Sequence, residues 1–335
     1  MENKSSGMYN VIDDAGIKRS INNVISSDID FNTYSSPKGL RDLRIEICKF
    51  LNFYWSYKID YNKMLITTGS QQSINLLVYS LLQEGDNVLI EEPTYFGAID
   101  CLKKRKVNLI GVELKEYGLV LKDLEDKIRE FKPKLIYVTP TFNNPTGYAW
   151  NNEYRQEFLK IINKYNLLVI EDDPYSLINF SDYCYKSLYE LNAGKNIIYL
   201  GTFSKYLSPA INVGYILCSD EIMTTLYTYK ESFDLCTSLF VQYVVLDYLK
   251  NNKLMAVIKN KISIYKNLLN KSIIELKELC KEDIVSYTIP QGGLFFNVKF
   301  KNKISCLELL NSNKYYINGE HNNETRINIC SNMKD

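Results

Sequence analysis

The segment YLGTFSKYLSPAINVGY, residues 199–215, places a single lysine between two apolar segments. The residues before it (IIYLGTF) and after it (INVGYILC) have the apolar content of buried strands. A surface lysine normally has polar neighbours, and this one does not. We therefore expect Lys205 to lie in the interior, just after the end of a strand.

Strand-like and helix-like segments alternate from residue 64 to about residue 218. The predicted strands are MLITT, NVLIEE, VNLIGVEL, KLIYVTP, LLVIEDD, NIIYLGT and VGYILCS. Apolar residues at helical spacing predict a helix in SQQSINLLVYSLL and further helices at about 96–104, 121–131 and 151–165. This alternation indicates βαβ units and an α/β fold with a largely parallel sheet. Such sheets bind ligands beyond the carboxyl ends of their strands.

Chemically distinctive residues follow several of these strands. TTGSQQ (67–72) begins a helix, whose free backbone N–H groups and positive dipole end suit a phosphate, although a plain N-cap is the alternative. TFNNPTG (141–147) ends another strand, and here the alternative is a simple Pro-Gly turn. EDDPY (171–175) places three carboxylates after a buried strand, where they must be paired or used.

These fragments together fit a site for pyridoxal phosphate. A lysine can form a Schiff base with the aldehyde of this cofactor, and a carboxylate can keep its pyridine nitrogen protonated. A helix N-terminus and hydroxyl groups suit its phosphate, and an aromatic side chain suits the face of its ring. We therefore expect pyridoxal 5'-phosphate as the cofactor and no metal.

In their order and separations, TTGSQQ, EEPTYFG, NNPTG, EDDPYS and GTFSK resemble the class I and II aminotransferases, which are fold-type I pyridoxal-phosphate enzymes. More narrowly, they are similar to the aminoadipate aminotransferase group and to the aminotransferase domain of MocR-type regulators. The resemblance extends from about Tyr34 to Arg326. It implies a large cofactor-binding domain at residues 46–250, with a mostly parallel central sheet, and a smaller α+β domain formed by residues 1–45 and 251–335.

The resemblance also implies the catalytic residues, which are Lys205, Asp172 and Tyr175. Lys205 would form the Schiff base and move a proton between the substrate Cα and the cofactor. Asp172 would pair with the pyridinium nitrogen, and Tyr175 and Asn144 would donate to the phenolic oxygen. Tyr95 would stack on the ring face.

Further residues are implied for the phosphate, the partner subunit and the substrate. The phosphate ligands would be Gly69, Ser70, Gln71, Thr202 and Ser204. Tyr34, in YSSPKG, matches a tyrosine that reaches the phosphate of the partner subunit, so a homodimer with shared active sites is implied. Arg326, in ETRINIC, matches the arginine that binds the substrate α-carboxylate, a bidentate role suited to a guanidinium, and Asn144 is the second residue implied for the substrate.

The sequence departs from the family pattern in three places. Asn212 stands where the family has an arginine that pairs with the cofactor phosphate, a charge-assisted contact worth about 1.5–3 kcal/mol. The segment before Tyr34 is short and lacks the usual glycine-containing substrate loop, and the segment leading to Arg326 is compressed. We therefore expect weaker cofactor binding and a reduced small domain.

We predict a pyridoxal-phosphate-dependent aminotransferase that moves an amino group from an amino acid to a 2-oxo acid through a Lys205 Schiff base. Two alternatives remain open. One is a non-catalytic ligand-binding remnant or sensor of the same fold, and the other is a lyase or decarboxylase that uses the same cofactor. An aromatic, aliphatic or aminoadipate-like amino donor suits the many tyrosines and the lack of a second obvious arginine.

Composition argues against several other classes of protein. The net charge of +1 gives no basic surface for a nucleic acid, and the roughly 30 residues before Tyr34 contain no helix-turn-helix pattern. We therefore expect no nucleic-acid partner. The eight cysteines contain no C-x-x-C pair, which argues against a zinc site and a disulfide framework. No apolar run has the length of a signal peptide core or a membrane helix, so we expect a cytoplasmic protein without membrane contact.

Four further predictions concern single segments. His321, the one histidine, lies in NGEHNNE and is expected in a solvated loop, which argues against Ser-His-Asp chemistry. Asp173 is expected to be a turn or cap residue rather than a catalytic one. PQGGLFFNVKF (290–300) is predicted as an edge strand of the small domain, and 251–281 as the helix that leads into it.

Overall fold

The computed structural model describes residues 13–251, 254–279, 284–301, 317–321 and 324–329. Two β-sheets organise these residues. The larger sheet has eight strands and the smaller has four.

The larger sheet is mostly parallel. Its strands are β1 (Met64–Thr67), β2 (Asn87–Glu92), β3 (Asn108–Lys115), β4 (Gly118–Leu119), β5 (Leu135–Val138), β6 (Leu168–Asp173), β7 (Ile197–Thr202) and β8 (Gly214–Leu217). They lie in the order β1-β8-β7-β6-β5-β2-β3-β4. Strands β3, β2, β5, β6 and β7 run parallel, whereas β8 runs antiparallel to both β7 and β1. The predicted α/β fold with a largely parallel sheet is confirmed.

Helices cover both faces of this sheet, because its central strands are apolar on both sides. In β5, Leu135 and Tyr137 pack into one core, and Ile136 and Val138 pack into the other. The helices are α1 (Asp14–Ile25), α2 (Arg41–Tyr54), α3 (Gly69–Leu81), α4 (Phe96–Lys104), α5 (Leu121–Phe131), α6 (Asn152–Tyr165), α7 (Leu188–Leu191), α8 (Asp220–Asp234), α9 (Leu239–Asn251) and α10 (Leu254–Leu279). Helices α4 and α5 have the predicted bounds, and α6 begins one residue later than predicted.

The smaller sheet is antiparallel. It consists of β9 (Ile284–Tyr287), β10 (Phe295–Phe300), β11 (Ile317–His321) and β12 (Glu324–Asn328), in the order β11-β12-β10-β9. The prediction of an edge strand at 290–300 is wrong, because β10 pairs with β12 on one side and with β9 on the other. The loop predicted around His321 is also wrong, because this residue ends β11 and is paired with Glu324 of β12.

Helix α10 connects the larger sheet to the smaller one along the chain and occupies most of the helix predicted at 251–281. All strands of the larger sheet lie within the predicted large domain, and all strands of the smaller sheet lie within the predicted small domain. The domain boundaries at residues 45 and 250 stay predictions. Among the described residues, none of the helices combines the length and the hydropathy that crossing a membrane requires.

Candidate active site

A cavity of about 260 Å³ lies beyond the carboxyl ends of β5, β6 and β7, beside the N-termini of α3 and α4. Ten of the twelve predicted site residues line it: Ser70, Gln71, Tyr95, Asn144, Asp172, Tyr175, Thr202, Ser204, Lys205 and Arg326. These residues come from six separate stretches of the chain. The position of the cavity agrees with the rule that parallel sheets bind ligands at the carboxyl ends of their strands.

Lys205 lies in a tight turn directly after β7. The backbone N–H groups of Tyr206 and Leu207 donate to the carbonyl of Phe203 over 3.1 and 2.8 Å, which closes the turn. The lysine side chain is partly buried in the wall of the cavity, as the apolar sequence around it predicts. This burial lowers the pKa of Lys205 to about 8. The negative charge of Asp172 raises the pKa, and the positive charge of Arg326 lowers it further.

Asp172 lines the cavity near the end of β6 with one carboxylate oxygen engaged. Its Oδ2 accepts a hydrogen bond of 2.6 Å from the Tyr137 hydroxyl, whereas its buried Oδ1 has no hydrogen-bond partner among the residues that the structure describes. The side chain is only 3% exposed. Burial raises the pKa of Asp172 to about 6, an effect that the Tyr137 hydrogen bond opposes. A donor in the cavity could therefore satisfy an oxygen that the protein leaves unpaired.

Asp173 points away from the cavity, as alternation along a strand requires. Its Oδ1 accepts from the backbone N–H of Ser176 over 3.0 Å, and its Oδ2 accepts from the Tyr199 hydroxyl over 2.8 Å. The prediction that Asp173 is a turn residue is confirmed by the Ser176 contact.

The turn between β1 and α3 presents the first backbone N–H groups of α3 at the cavity. Gly69 has a φ of +72°, and a Cβ atom on it would lie 2.1 Å from Oδ1 of Asn212. Only glycine therefore suits this position, both for its left-handed backbone and for the close approach of Asn212. Gly69 does not line the cavity itself but shapes the turn that presents Ser70 and Gln71 to it.

The side chain of Gln71 connects this turn to the start of α4. Its Nε2 donates to the carbonyl of Gly97 over 3.1 Å, and its Oε1 accepts from the Tyr95 hydroxyl over 3.3 Å. At the end of β7, the Thr202 hydroxyl is 3.1 Å from Ser204 Oγ and 3.2 Å from the Val213 carbonyl. The predicted phosphate ligands thus lie around one end of the cavity.

Asn212 lines the cavity at the same end, next to Gly69. Its φ of 45° lies in the left-handed region, which asparagine tolerates better than most residues. Asn212, which we predict to stand at the position of a phosphate-binding arginine, thus lies beside the predicted phosphate ligands.

Arg326, on β12, enters the cavity from the smaller sheet. Its Nη1 donates to Oδ1 of Asn144 over 2.8 Å, and its side chain is buried. The guanidinium carbon lies 4.4 Å from the ring centroid of Phe295 and 5.8 Å from that of Phe96, so two aromatic faces hold it. Tyr175 packs its edge against Phe295, with 5.9 Å between the ring centroids.

Several residues near the cavity were not predicted from the sequence. The unpredicted lining residues are Phe96, Thr139, Pro174, Pro209 and Phe295. Behind Thr139 lies the fully buried Glu91, whose Oε2 accepts from the Thr139 backbone N–H and from Asn143 Nδ2, both over 2.9 Å. Burial raises the pKa of Glu91 to about 8. The sequence feature that could have predicted a role for Glu91 is the pair of adjacent carboxylates, Glu91 and Glu92, at the end of a predicted strand.

Tyr34 does not line the cavity of its own chain, and 79% of its surface is exposed. Its predicted role is directed at the partner subunit, so it stays a prediction.

A family model described as aminotransferase class I and II matches residues 5–335. The chain belongs to this family. The fold-type I architecture and the resemblance predicted from the five motifs are therefore confirmed.

Two curated relatives and one solved structure illustrate the range of this aminotransferase family. The chain is 30% identical over 267 residues to the aromatic-amino-acid aminotransferase 1 of Thermococcus litoralis, covering 78% of this chain and 64% of the relative. It is 32% identical over 271 residues to the 2-aminoadipate transaminase of Thermus thermophilus, covering 78% of this chain and 65% of the relative. The chain thus spans less than two thirds of the length of these two relatives.

The solved structure is the kynurenine aminotransferase of Pyrococcus horikoshii in complex with PMP. It superposes with a TM-score of 0.85 at 29% sequence identity, covering 95% of this chain and 82% of that chain. The fold described above is therefore shared with this aminotransferase.

Proposed function

We propose that this protein is a pyridoxal-phosphate-dependent aminotransferase that moves an amino group from an amino acid to a 2-oxo acid. One observation carries the proposal. The amine of Lys205 and the unpaired Oδ1 of Asp172 belong to the same cavity as the N-terminus of α3. An amine, a buried anion and a phosphate cradle are the three groups that this cofactor requires.

The described residues fit the cofactor. Asp172 Oδ1 is a buried acceptor without a donor, which the protonated ring nitrogen would supply. Gly69 keeps the first turn of α3 open, because any Cβ there would meet Asn212. Ser70, Gln71 and Ser204 add hydroxyl and amide groups for a phosphate. When bound, the cofactor supplies an aldehyde that reacts with amines and a ring that withdraws electrons from the substrate Cα.

Lys205 is suited to moving a proton. Because burial lowers the pKa of Lys205 to about 8, about a tenth of its Nζ is neutral at pH 7 and can accept a proton from the substrate Cα. The same Nζ could then give up that proton again. Asp172 would place a negative charge next to the protonated ring nitrogen of the bound cofactor, which would favour the withdrawal of electrons by that ring.

Arg326 is suited to binding the substrate α-carboxylate. Its guanidinium is buried and always charged, and the faces of Phe295 and Phe96 together with Asn144 fix its orientation. A fixed guanidinium at one end of the cavity would orient the substrate so that its Cα lies near Lys205. Tyr95, Phe96, Tyr175 and Phe295 give the cavity aromatic walls. We therefore propose an amino donor with an aromatic or aliphatic side chain, in agreement with the aromatic-amino-acid and kynurenine enzymes above.

The proposal includes a cytoplasmic homodimer in which Tyr34 reaches the site of the partner subunit. The high exposure of Tyr34 supports this, since a tyrosine with 79% of its surface exposed is available to a second chain. The proposal also keeps the division into a large domain at 46–250 and a small domain at 1–45 and 251–335.

A panel of amino acids tests the reaction. The purified protein, supplied with pyridoxal phosphate, is incubated with each ¹⁵N-labelled amino acid and a 2-oxo acid, and the products are analysed by mass spectrometry. The proposal predicts ¹⁵N in the amino acid derived from the 2-oxo acid. Cofactor binding without transfer would instead support a sensor, and cleavage of a Cα substituent without transfer would support a lyase or decarboxylase.

A further inference from the structure

A buried network lies on the far side of the predicted phosphate turn, outside the cavity. Its centre is Lys230 on α8, whose side chain is completely buried. The Nζ donates to both carboxylate oxygens of Asp234, over 2.5 and 2.7 Å. It also lies 3.0 Å from Oε1 of Gln72 and 3.3 Å from Oγ1 of Thr237. The ammonium group therefore has acceptors for all three of its protons.

Gln72 connects this cation to the beginning of α3. Its Oε1, which accepts from Lys230, also accepts from the backbone N–H of Thr68 over 2.8 Å. Its Nε2 donates to Oδ2 of Asp234 over 2.6 Å, so both ends of the amide are fixed. Thr68 is the N-cap of α3, and its side chain makes no capping hydrogen bond. Gln72 thus makes the contact to the N-cap backbone N–H that a Glu or Gln at N3 makes in a capping box, but from one position further along the helix.

The same network holds Thr68 from a second side. The hydroxyls of Thr68 and Thr237 are 3.4 Å apart, and the backbone carbonyl of Thr237 accepts from Nε2 of Gln242 over 2.7 Å. The segment between α8 and α9 is therefore fixed against the N-cap of α3. Residues 69–71, which follow this N-cap directly, carry the predicted phosphate donors.

Among the described residues, the predicted phosphate ligands Ser70, Gln71, Thr202 and Ser204 are uncharged, and so is Asn212 at the same end of the cavity. Neutral donors are weaker than a guanidinium and depend more on their placement. We propose that Lys230 is a positioning residue that, through Gln72 and Asp234, fixes the first turn of α3 for the phosphate of the bound cofactor. This inference rests on the proposed function. The alternative role for Lys230 is stabilisation of α8 alone through an i,i+4 ion pair.

Pyridoxal, which lacks the phosphate, separates the two roles. We would measure dissociation constants of pyridoxal phosphate and pyridoxal for the wild type and for Lys230→Met, which keeps a long apolar side chain but has no donor. Loss of one charge-assisted hydrogen-bond network should weaken the binding of pyridoxal phosphate about tenfold or more. The binding of pyridoxal should change less than about twofold. A general loss of stability would weaken both ligands alike.

Two further variants complete the test. Gln72→Met breaks the link to the Thr68 N–H and leaves the Lys230–Asp234 ion pair. It should also weaken the binding of pyridoxal phosphate more than that of pyridoxal, and it provides this test if Lys230→Met folds poorly. Lys127→Met is the matched control, because Lys127 also forms an i,i+4 pair with an aspartate, at 2.7 Å to Asp123, and donates to the Gly111 carbonyl away from the cavity. It should leave both dissociation constants unchanged.

The outcomes distinguish this inference from the function on which it rests. A wild type that binds neither ligand contradicts the proposed function and the inference with it. The positioning role alone is overturned if the wild type binds pyridoxal phosphate and both Lys230→Met and Gln72→Met prefer it over pyridoxal as strongly as the wild type does. Equal weakening of both ligands in these two variants would assign Lys230 to general stability.

Discussion

Replacing Asp172 by asparagine should have opposite effects on the protein with and without its cofactor. In the protein alone, the Asp172 carboxylate is buried and one of its oxygens has no partner, so the charge is costly. Asparagine keeps the shape and can still accept from the Tyr137 hydroxyl. With the cofactor bound, the same substitution removes the negative charge that we propose for the ring nitrogen.

The pKa of Asp172 gives the magnitude of the first effect. It rises from 3.8 in the unfolded chain to about 6 in the folded protein. The stabilisation from protonated Asp172 is therefore complete below about pH 4 and is lost as the pH rises through about 6. At about 1.4 kcal/mol per pH unit, this difference corresponds to about 3 kcal/mol. Asp172→Asn should thus leave the stability almost unchanged near pH 4 and raise it by up to about 3 kcal/mol at pH 8.

Urea unfolding of wild type and variant, both without cofactor, at a series of pH values measures this difference. Buried groups whose pKa does not depend on Asp172, such as Glu171, titrate equally in both proteins and cancel in the comparison. With the cofactor, the variant should bind pyridoxal phosphate about ten- to a hundredfold more weakly, as expected for the loss of one charge-assisted contact. A variant that is less stable than the wild type at pH 8 without cofactor would refute the reasoning.

Three other substitutions have expected outcomes. Asn212→Arg should tighten the binding of pyridoxal phosphate about tenfold. The new charge-assisted contact contributes about 1.5–3 kcal/mol, and an arginine at positive φ costs about 1 kcal/mol of this. Unchanged affinity for pyridoxal phosphate would show that residue 212 does not face the phosphate. Arg326→Gln should raise the KM of the amino donor about a hundredfold and leave cofactor affinity unchanged in a spectroscopic titration; equal weakening of both would place Arg326 elsewhere. Glu91→Gln keeps both acceptor contacts of Glu91. Because the pKa of Glu91 rises to about 8 on folding, the wild type should lose stability as the pH rises from about 4.5 to about 8, and the variant should not. Unfolding curves measure this difference, and the same dependence of stability on pH in both proteins would contradict a buried, neutral Glu91.

The sequence predicted those parts of the site that are set by local pattern. Helices α4 and α5 have the predicted bounds because apolar residues recur at helical spacing between clear turn signals. Residues at the ends of β5, β6 and β7 meet in one cavity because parallel strands place their carboxyl ends at one edge of the sheet. The position of Lys205 follows from the same rule.

Other features depend on pairings between distant segments, which local pattern does not specify. The prediction of an edge strand at 290–300 was wrong because the partner β12 lies far along the chain and its sequence is polar. The contact between Lys230 and Gln72 joins residues 158 positions apart, and the contact between Glu91 and Asn143 joins residues 52 apart. Only the folded chain brings such groups together.

The central claim is that Lys205 holds pyridoxal phosphate in the cavity beside Asp172, and a spectroscopic titration tests it most directly. Purified wild type and Lys205→Ala are titrated with pyridoxal phosphate while the visible absorbance of the cofactor is recorded, followed by reduction with borohydride and peptide mass analysis. We predict a saturable absorbance change in the wild type alone, with the reduced cofactor attached to Lys205. An identical spectrum in Lys205→Ala, or attachment at another lysine, would contradict the account.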